Sequence, residues 1–433
     1  MRIRFFNARL LTMKDDEPIH FGEVWVRDDK IEYVGDKVAE DEIERKNIVF
    51  DRAVDVKGNV LMPGFKDAHT HSAMTAFRSF ADDLPLQEWL ETKIFPIEAV
   101  MTEDDIYELT RLAVLEYLTS GITGCFEMYL NPYAIEKVAI DTGMRIVQVS
   151  GINKFGPSLE ELENRYLKLN GNSPLASFML GFHAEYTCTK ELLSQISDMA
   201  HKYRCPIYAH NSETQREVDE CIERYNMTPT ELMESLNMFD FGGGGYHCVY
   251  LSDNDMEIFK KHNLSVVTNP ASNLKLASGV APIKEFLDRG INVAIGTDGP
   301  SSNNCLDMFR EMFLVTGLAK VKNGDAASVP AGEVLKMATV GGARAMGLDS
   351  CDVLDVGKQA DMIIIDLNCP NMQPLNNIAD NIVYSGCKSN VKMTMVAGKI
   401  LYEDGKFNIG VEPEQLYEKA NTIISRLKGE LEK

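Results

Sequence analysis

The chain has 433 residues, 45% hydrophobic and 25% charged, which excludes disorder, collagen-like repeats and a coiled coil. Its length suits a large α/β barrel with an accessory domain. With 65 acids against 44 bases the formal charge is −21, a surface that repels phosphate backbones and anionic membranes and so argues against both as partners.

The first 58 residues read as strands and turns, with runs at 2–12, 22–26 and 30–34 and a polar break at Arg27, Asp28 and Asp29. No apolar leader opens the chain, and no stretch approaches the ~18 apolar residues of a membrane span. Eight short apolar runs follow, at 60–65, 122–129, 145–151, 177–183, 206–210, 245–249, 264–269 and 292–298. Helix-length segments separate most of them. One, at 103–120, follows the capping signal of Thr102 and Asp105. Strands alternating with helices predict a parallel sheet, and eight such units predict a (β/α)8 barrel, an α/β fold. The open doubly wound sheet is the alternative, but no GxGxxG turn follows the first run.

Strand texture returns at 361–366 and at 391–402, the latter broken by Ala397 and Gly398, and a helical pattern runs from 411 to the end. The expected division is a small β-sandwich domain from 1–58 and 353–410, a barrel over 59–352, and a C-terminal helix over 411–433. The nine cysteines include no CxxC pair and are odd in number, so they read as reduced thiols of a cytoplasmic protein. A homo-oligomer is compatible with the chain, though no motif specifies one.

Five of the eight histidines, His69, His71, His183, His210 and His247, fall at or just past the ends of predicted barrel strands, where this architecture builds its active sites. His20, His201 and His262 do not, and read as structural. His69 and His71 form H-x-H, and residues two apart in an extended backbone face the same side. His210 ends the fifth run and Asp298 the eighth. Asp298 alone could equally serve the Asp-Gly turn that it begins. Together, three imidazoles and one carboxylate suit one divalent transition metal, zinc first and Fe2+, Mn2+ or Ni2+ after it, with a position left for water. Glu213, three residues past His210, is placed for proton transfer. His247 could deprotonate water or be a ligand of a two-metal site, but no lysine ends the fourth strand to bridge a second ion.

Val60-Leu-Met-Pro-Gly-Phe-Lys-Asp-Ala-His-Thr-His resembles the first-strand motif of the amidohydrolase superfamily. The segments at 73–90, 269–279 and 296–304 are similar, within it, to the 5-methylthioadenosine/S-adenosylhomocysteine deaminase group and its chlorohydrolase-like neighbours. The resemblance implies His69, His71, His210 and Asp298 as metal ligands, Glu213 as acid/base, and His247 as the residue assisting water. It further implies Glu98 at the ribose and His183 at the substrate. Trp89, in the same long loop, either stacks on a purine or anchors the loop. The chain departs from the family's pattern at Glu185 and Tyr246, and it lacks clear arginines over 151–165, with Lys154 nearest. The added acid and missing arginines argue against a carboxylate-bearing substrate.

The expected reaction is hydrolytic deamination of an adenine-type nucleoside. The alternatives are guanine or pterin deamination and triazine dechlorination at the same metal site. A silent binding barrel is the rival of another class, and it has no reason to keep a complete ligand set.

Overall fold

The computed structural model describes residues 1–431. Eight parallel strands pair in sequential order: Phe65–Thr70, Ile122–Glu127, Arg145–Val149, Ala176–Ala184, Ile207–Asn211, Gly243–His247, Ser265–Thr268 and Asn292–Ile295. They are almost wholly buried, as strands covered by helices outside and side chains within must be. Phe126, Val147, Tyr208, Tyr246, Val267 and Ala294 fill the interior. The ring closes between its first and last strands. There the Asp298 N–H donates to the His69 carbonyl at 2.9 Å, and Thr297 donates its N–H and hydroxyl to the Asp67 carboxylate at 2.8 and 2.6 Å. The predicted barrel is present. Its first helix, Glu103–Thr119, carries the reciprocal cap between Thr102 and Asp105.

The first strand corrects the sequence reading. The run at 60–65 is not a barrel strand: Val60–Pro63 pairs in parallel with the N-terminal strand and antiparallel with Met362–Ile365. The chain passes from one sheet to the other at Gly64, where a Cβ would lie 2.0 Å from the Thr123 side chain. The barrel strand then starts at Phe65, so His69 lies within it and only His71 beyond it. Two consecutive buried strands read as one apolar run because periodicity does not register a change of sheet.

The terminal segments form a single mixed sheet of nine strands, so hydrogen bonding joins the expected sandwich into one continuous layer. One face, with Phe5, Val24, Val26, Leu61, Met362, Ile364 and Met395, has its own core. The opposite face, with Val60, Met62, Ile363 and Ile365, packs into the barrel's outer core. The C-terminal helix Pro413–Leu431 lies against Glu103–Thr119, tied by Lys419 to Glu108 at 2.5 Å and by Arg426 to Asp105. The rest of the expected segment, 432–433, lies outside the described residues. All nine cysteines are free thiols, and no helix among the described residues is long and apolar enough to cross a membrane.

Candidate active site

The five strand-end histidines converge. His69 projects from the first strand, fully buried, and both of its ring nitrogens lack a hydrogen-bond partner. Its Nε2 lies 3.5 Å from Asp298 Oδ1, and that of His71 lies 3.2 Å from the same oxygen. His71 donates Nδ1–H to the Met128 carbonyl, and His210 donates its own to the His183 carbonyl at 2.6 Å. These backbone partners fix the tautomers and leave Nε2 of each ring free, the arrangement that suits metal ligation. His69, His71 and His210 form one tight ligand group, and His69, His247 and Asp298 another.

Asp298 adopts a left-handed backbone, φ +59°, unusual for a residue other than glycine. The closure hydrogen bond to His69 holds it there, and its Oδ2 accepts from Ser272 at 2.5 Å and Ser302 at 3.0 Å. The protonation states of the cluster follow from the same geometry. Burial drives His69 down to about 3, so its ring is neutral. Burial also opposes charge on His71, but Asp298 and the Met128 carbonyl outweigh it and raise His71 to about 9. Asp298 thus demands a positive charge beside it, which a divalent cation satisfies by displacing that proton. The orphaned nitrogens of a fully buried His69 and this buried carboxylate, which holds a proton on His71, fit a metal ion.

His247, also left-handed at φ +68°, donates Nδ1–H to Asn273 Oδ1 at 2.7 Å and turns Nε2 toward Glu213 Oε2 at 3.8 Å and Asp298 Oδ2 at 4.0 Å. Glu213 is buried, which raises its carboxyl above the usual range against the pull of His247. Ser278 donates to its Oε1 at 2.9 Å. His183 packs beside His210 with ring centroids 4.8 Å apart, and burial holds it neutral, near 4. Glu98 ends the helical turn Phe95–Glu98, half-buried next to the Tyr129 hydroxyl, and burial pushes it up to about 7.

Trp89 has the anchoring position of its two expected ones. It is 4% exposed and packs with Phe77, Ile94 and Ile97 and with Leu427 of the C-terminal helix. Glu185 is corrected as well. It is buried and paired with Arg224 at 2.5 Å, so its charge is compensated and no longer argues against a carboxylate-bearing substrate. Arg224 lies on the helix Gln215–Tyr225, outside the 151–165 stretch.

Several supporting residues carry no signature in the sequence. Ser272, Asn273 and Ser278 lie in the quoted 269–279 segment, but a serine or asparagine shows its role only once its partner is near. Tyr117, on the helix Glu103–Thr119, lies 2.7 Å from the hydroxyls of both Thr70 and Ser72, the two residues flanking His71. Glu127 accepts the Ser72 N–H at 3.1 and 3.0 Å.

A closed parallel barrel with an H-x-H first strand and an aspartate after the eighth belongs to a known class: the chain is a member of the amidohydrolase family, which residues 60–401 match. It is 38% identical, over the whole of both chains, to the 5-methylthioadenosine/S-adenosylhomocysteine deaminase of Caldanaerobacter subterraneus. It is 37% identical to the 5′-deoxyadenosine deaminase of Methanosarcina acetivorans, over 97% of each chain. Among solved structures, an adenosine deaminase from Xanthomonas campestris with bound zinc superposes with a TM-score of 0.91 at 30% identity, over 99% of this chain and 98% of that one.

Proposed function

We propose that the protein is a metal-dependent aminohydrolase acting on the adenine ring of a nucleoside. Adenosine, 5′-deoxyadenosine, 5′-methylthioadenosine and S-adenosylhomocysteine define the class, and the products are ammonia and the inosine-type nucleoside. The observation that carries this reading is the convergence of His69, His71, His210 and Asp298 with a buried Glu213 beside His247. The names of the full-length relatives support the substrate class.

Nε2 of His69, His71 and His210 and a carboxylate oxygen of Asp298 would hold one divalent cation, zinc first. The cation supplies the Lewis acidity that makes water nucleophilic near neutral pH. A single ion is favoured because the two ligand groups share His69 and no lysine stands on the fourth strand. His247, its tautomer fixed by Asn273, and Asp298 Oδ2 are the acceptors for the proton of the attacking water. Glu213, whose carboxyl burial raises above its usual range, is the group placed to carry a proton to the ring nitrogen, so the attacked carbon accepts oxygen without full negative charge building on the ring. A second proton transfer through the same carboxyl lets nitrogen leave as ammonia. Glu98 takes the ribose hydroxyls and His183 the substrate's near edge. The nine free thiols support a cytoplasmic location.

The test is ammonia release by the metal-loaded protein over adenine nucleosides, guanine, pterins and triazines. Turnover confined to the adenine nucleosides is expected. A clear preference for guanine, a pterin or a triazine would assign a different reaction to the same site.

A further inference from the structure

A second cavity lies outside the catalytic site, between the C-terminal helix, the helix Glu103–Thr119 and the chain that continues from the Ser72–Phe77 turn. Its volume is about 620 Å³, within the ~300–1,000 Å³ of small-molecule sites. The charge of its lining is inverted relative to the chain. Acids outnumber bases 65 to 44 overall, yet this cavity is lined by Arg78, Lys388 and Lys428 against one acid, Glu116. That carboxylate is divided between Arg78 at 2.5 Å and Lys388 at 3.1 Å, and it also accepts the Leu306 N–H at 3.2 Å. Three basic side chains thus share the lining with one carboxylate, and Asp307 lies near enough to Lys388 to feel its charge. Aromatic surface lies alongside: the Lys428 ammonium is 5.4 Å from the Phe80 ring centre, and Tyr417 is 48% exposed on the facing helix.

We propose that this cavity binds a phosphate monoester of nucleotide size, its phosphate among Arg78, Lys388 and Lys428 and its flat body against Phe80 and Tyr417. A phosphate monoester carries about −1.5 to −2 charge near pH 7, which complements the excess of basic side chains in this lining. Arginine beside lysines supplies the donors for its oxygens. An apolar ligand would offer those solvent-facing cations no counter-charge, and a free nucleoside would fill the aromatic part alone. The site is independent of the reaction carried out at the metal centre.

Calorimetric titration of the full, metal-loaded chain with uridine 5′-monophosphate, inorganic phosphate and uridine tests it, uridine compounds being chosen because they lack a purine ring. Expected is one saturable site per chain for the monophosphate, weaker binding of phosphate, none of uridine, and loss of affinity as salt is raised. Lys428→Glu and Lys388→Gln should each weaken the monophosphate about tenfold, while ammonia release by Lys428→Glu stays at the parent rate and reports an intact fold. No saturable binding by the parent protein, parental affinity in both variants, or uridine binding as tightly as its monophosphate would each overturn the proposal.

Discussion

The ring of Tyr246 lies flat on the ring of His69, centroids 3.8 Å apart and planes 19° from parallel. His71 and His210 are oriented by backbone carbonyls, but His69 has no hydrogen-bond partner, so stacking sets its orientation. An aromatic pair contributes ~0.5–1.5 kcal/mol beyond its buried area. Tyr246→Leu should therefore weaken zinc binding several-fold, measured by competition with a chelator. Tyr246→Phe should keep the affinity and raise Tm, because the Tyr246 hydroxyl is buried without a partner, at a cost of about 1–3 kcal/mol. Equal zinc affinity in the Leu variant would remove the orienting role.

Tyr117 bridges Thr70 and Ser72 and so clamps the backbone on both sides of His71. Loss of an outer-sphere partner typically costs ~10–100-fold in metal affinity or activity. Tyr117→Phe should fall in that range for zinc retention. Tyr208→Phe, which loses a hydrogen bond to the Ala345 carbonyl deep in the barrel, should not. Matching zinc loss in both variants would indicate general loosening of the barrel.

Glu213→Gln should keep its metal and lose turnover by ~10²–10⁴-fold, the usual contribution of a positioned acid or base. A near-parental kcat on the best substrate would make Glu213 a bystander and return the proton route to His247 alone.

Much of this candidate site is legible in the sequence, because His69, His71 and His210 belong to a residue type that occurs only eight times and Asp298 ends the last apolar run. The barrel is legible too, through eight apolar runs in series. What the sequence hides is partnership. Nothing near Glu185 announces Arg224, 39 residues away, and the spacing around Tyr246 gives no sign of the His69 ring it covers. The boundary error at Val60 has the same origin, since two strands of different sheets share one apolar run.

Burial raises Glu98 to about 7, so it is neutral below that pH and an ionised double acceptor above it. If it holds both ribose hydroxyls, the preference for adenosine over 2′-deoxyadenosine in kcat/KM should grow as pH rises through about 7. It should reach roughly tenfold to a hundredfold, as for a site built to hydrogen-bond a hydroxyl. Glu98→Ala should abolish both the preference and its pH dependence. A flat ratio in the parent enzyme would take the ribose away from Glu98.

The most direct test of a one-metal aminohydrolase is to strip the protein with chelator and follow ammonia release from its best adenine nucleoside as zinc is added back. Activity should be absent at the start, rise linearly, and level off at one equivalent per chain, with Asp298→Ala inactive throughout. Turnover by the stripped protein, or a rise that continues to two equivalents, would contradict the account.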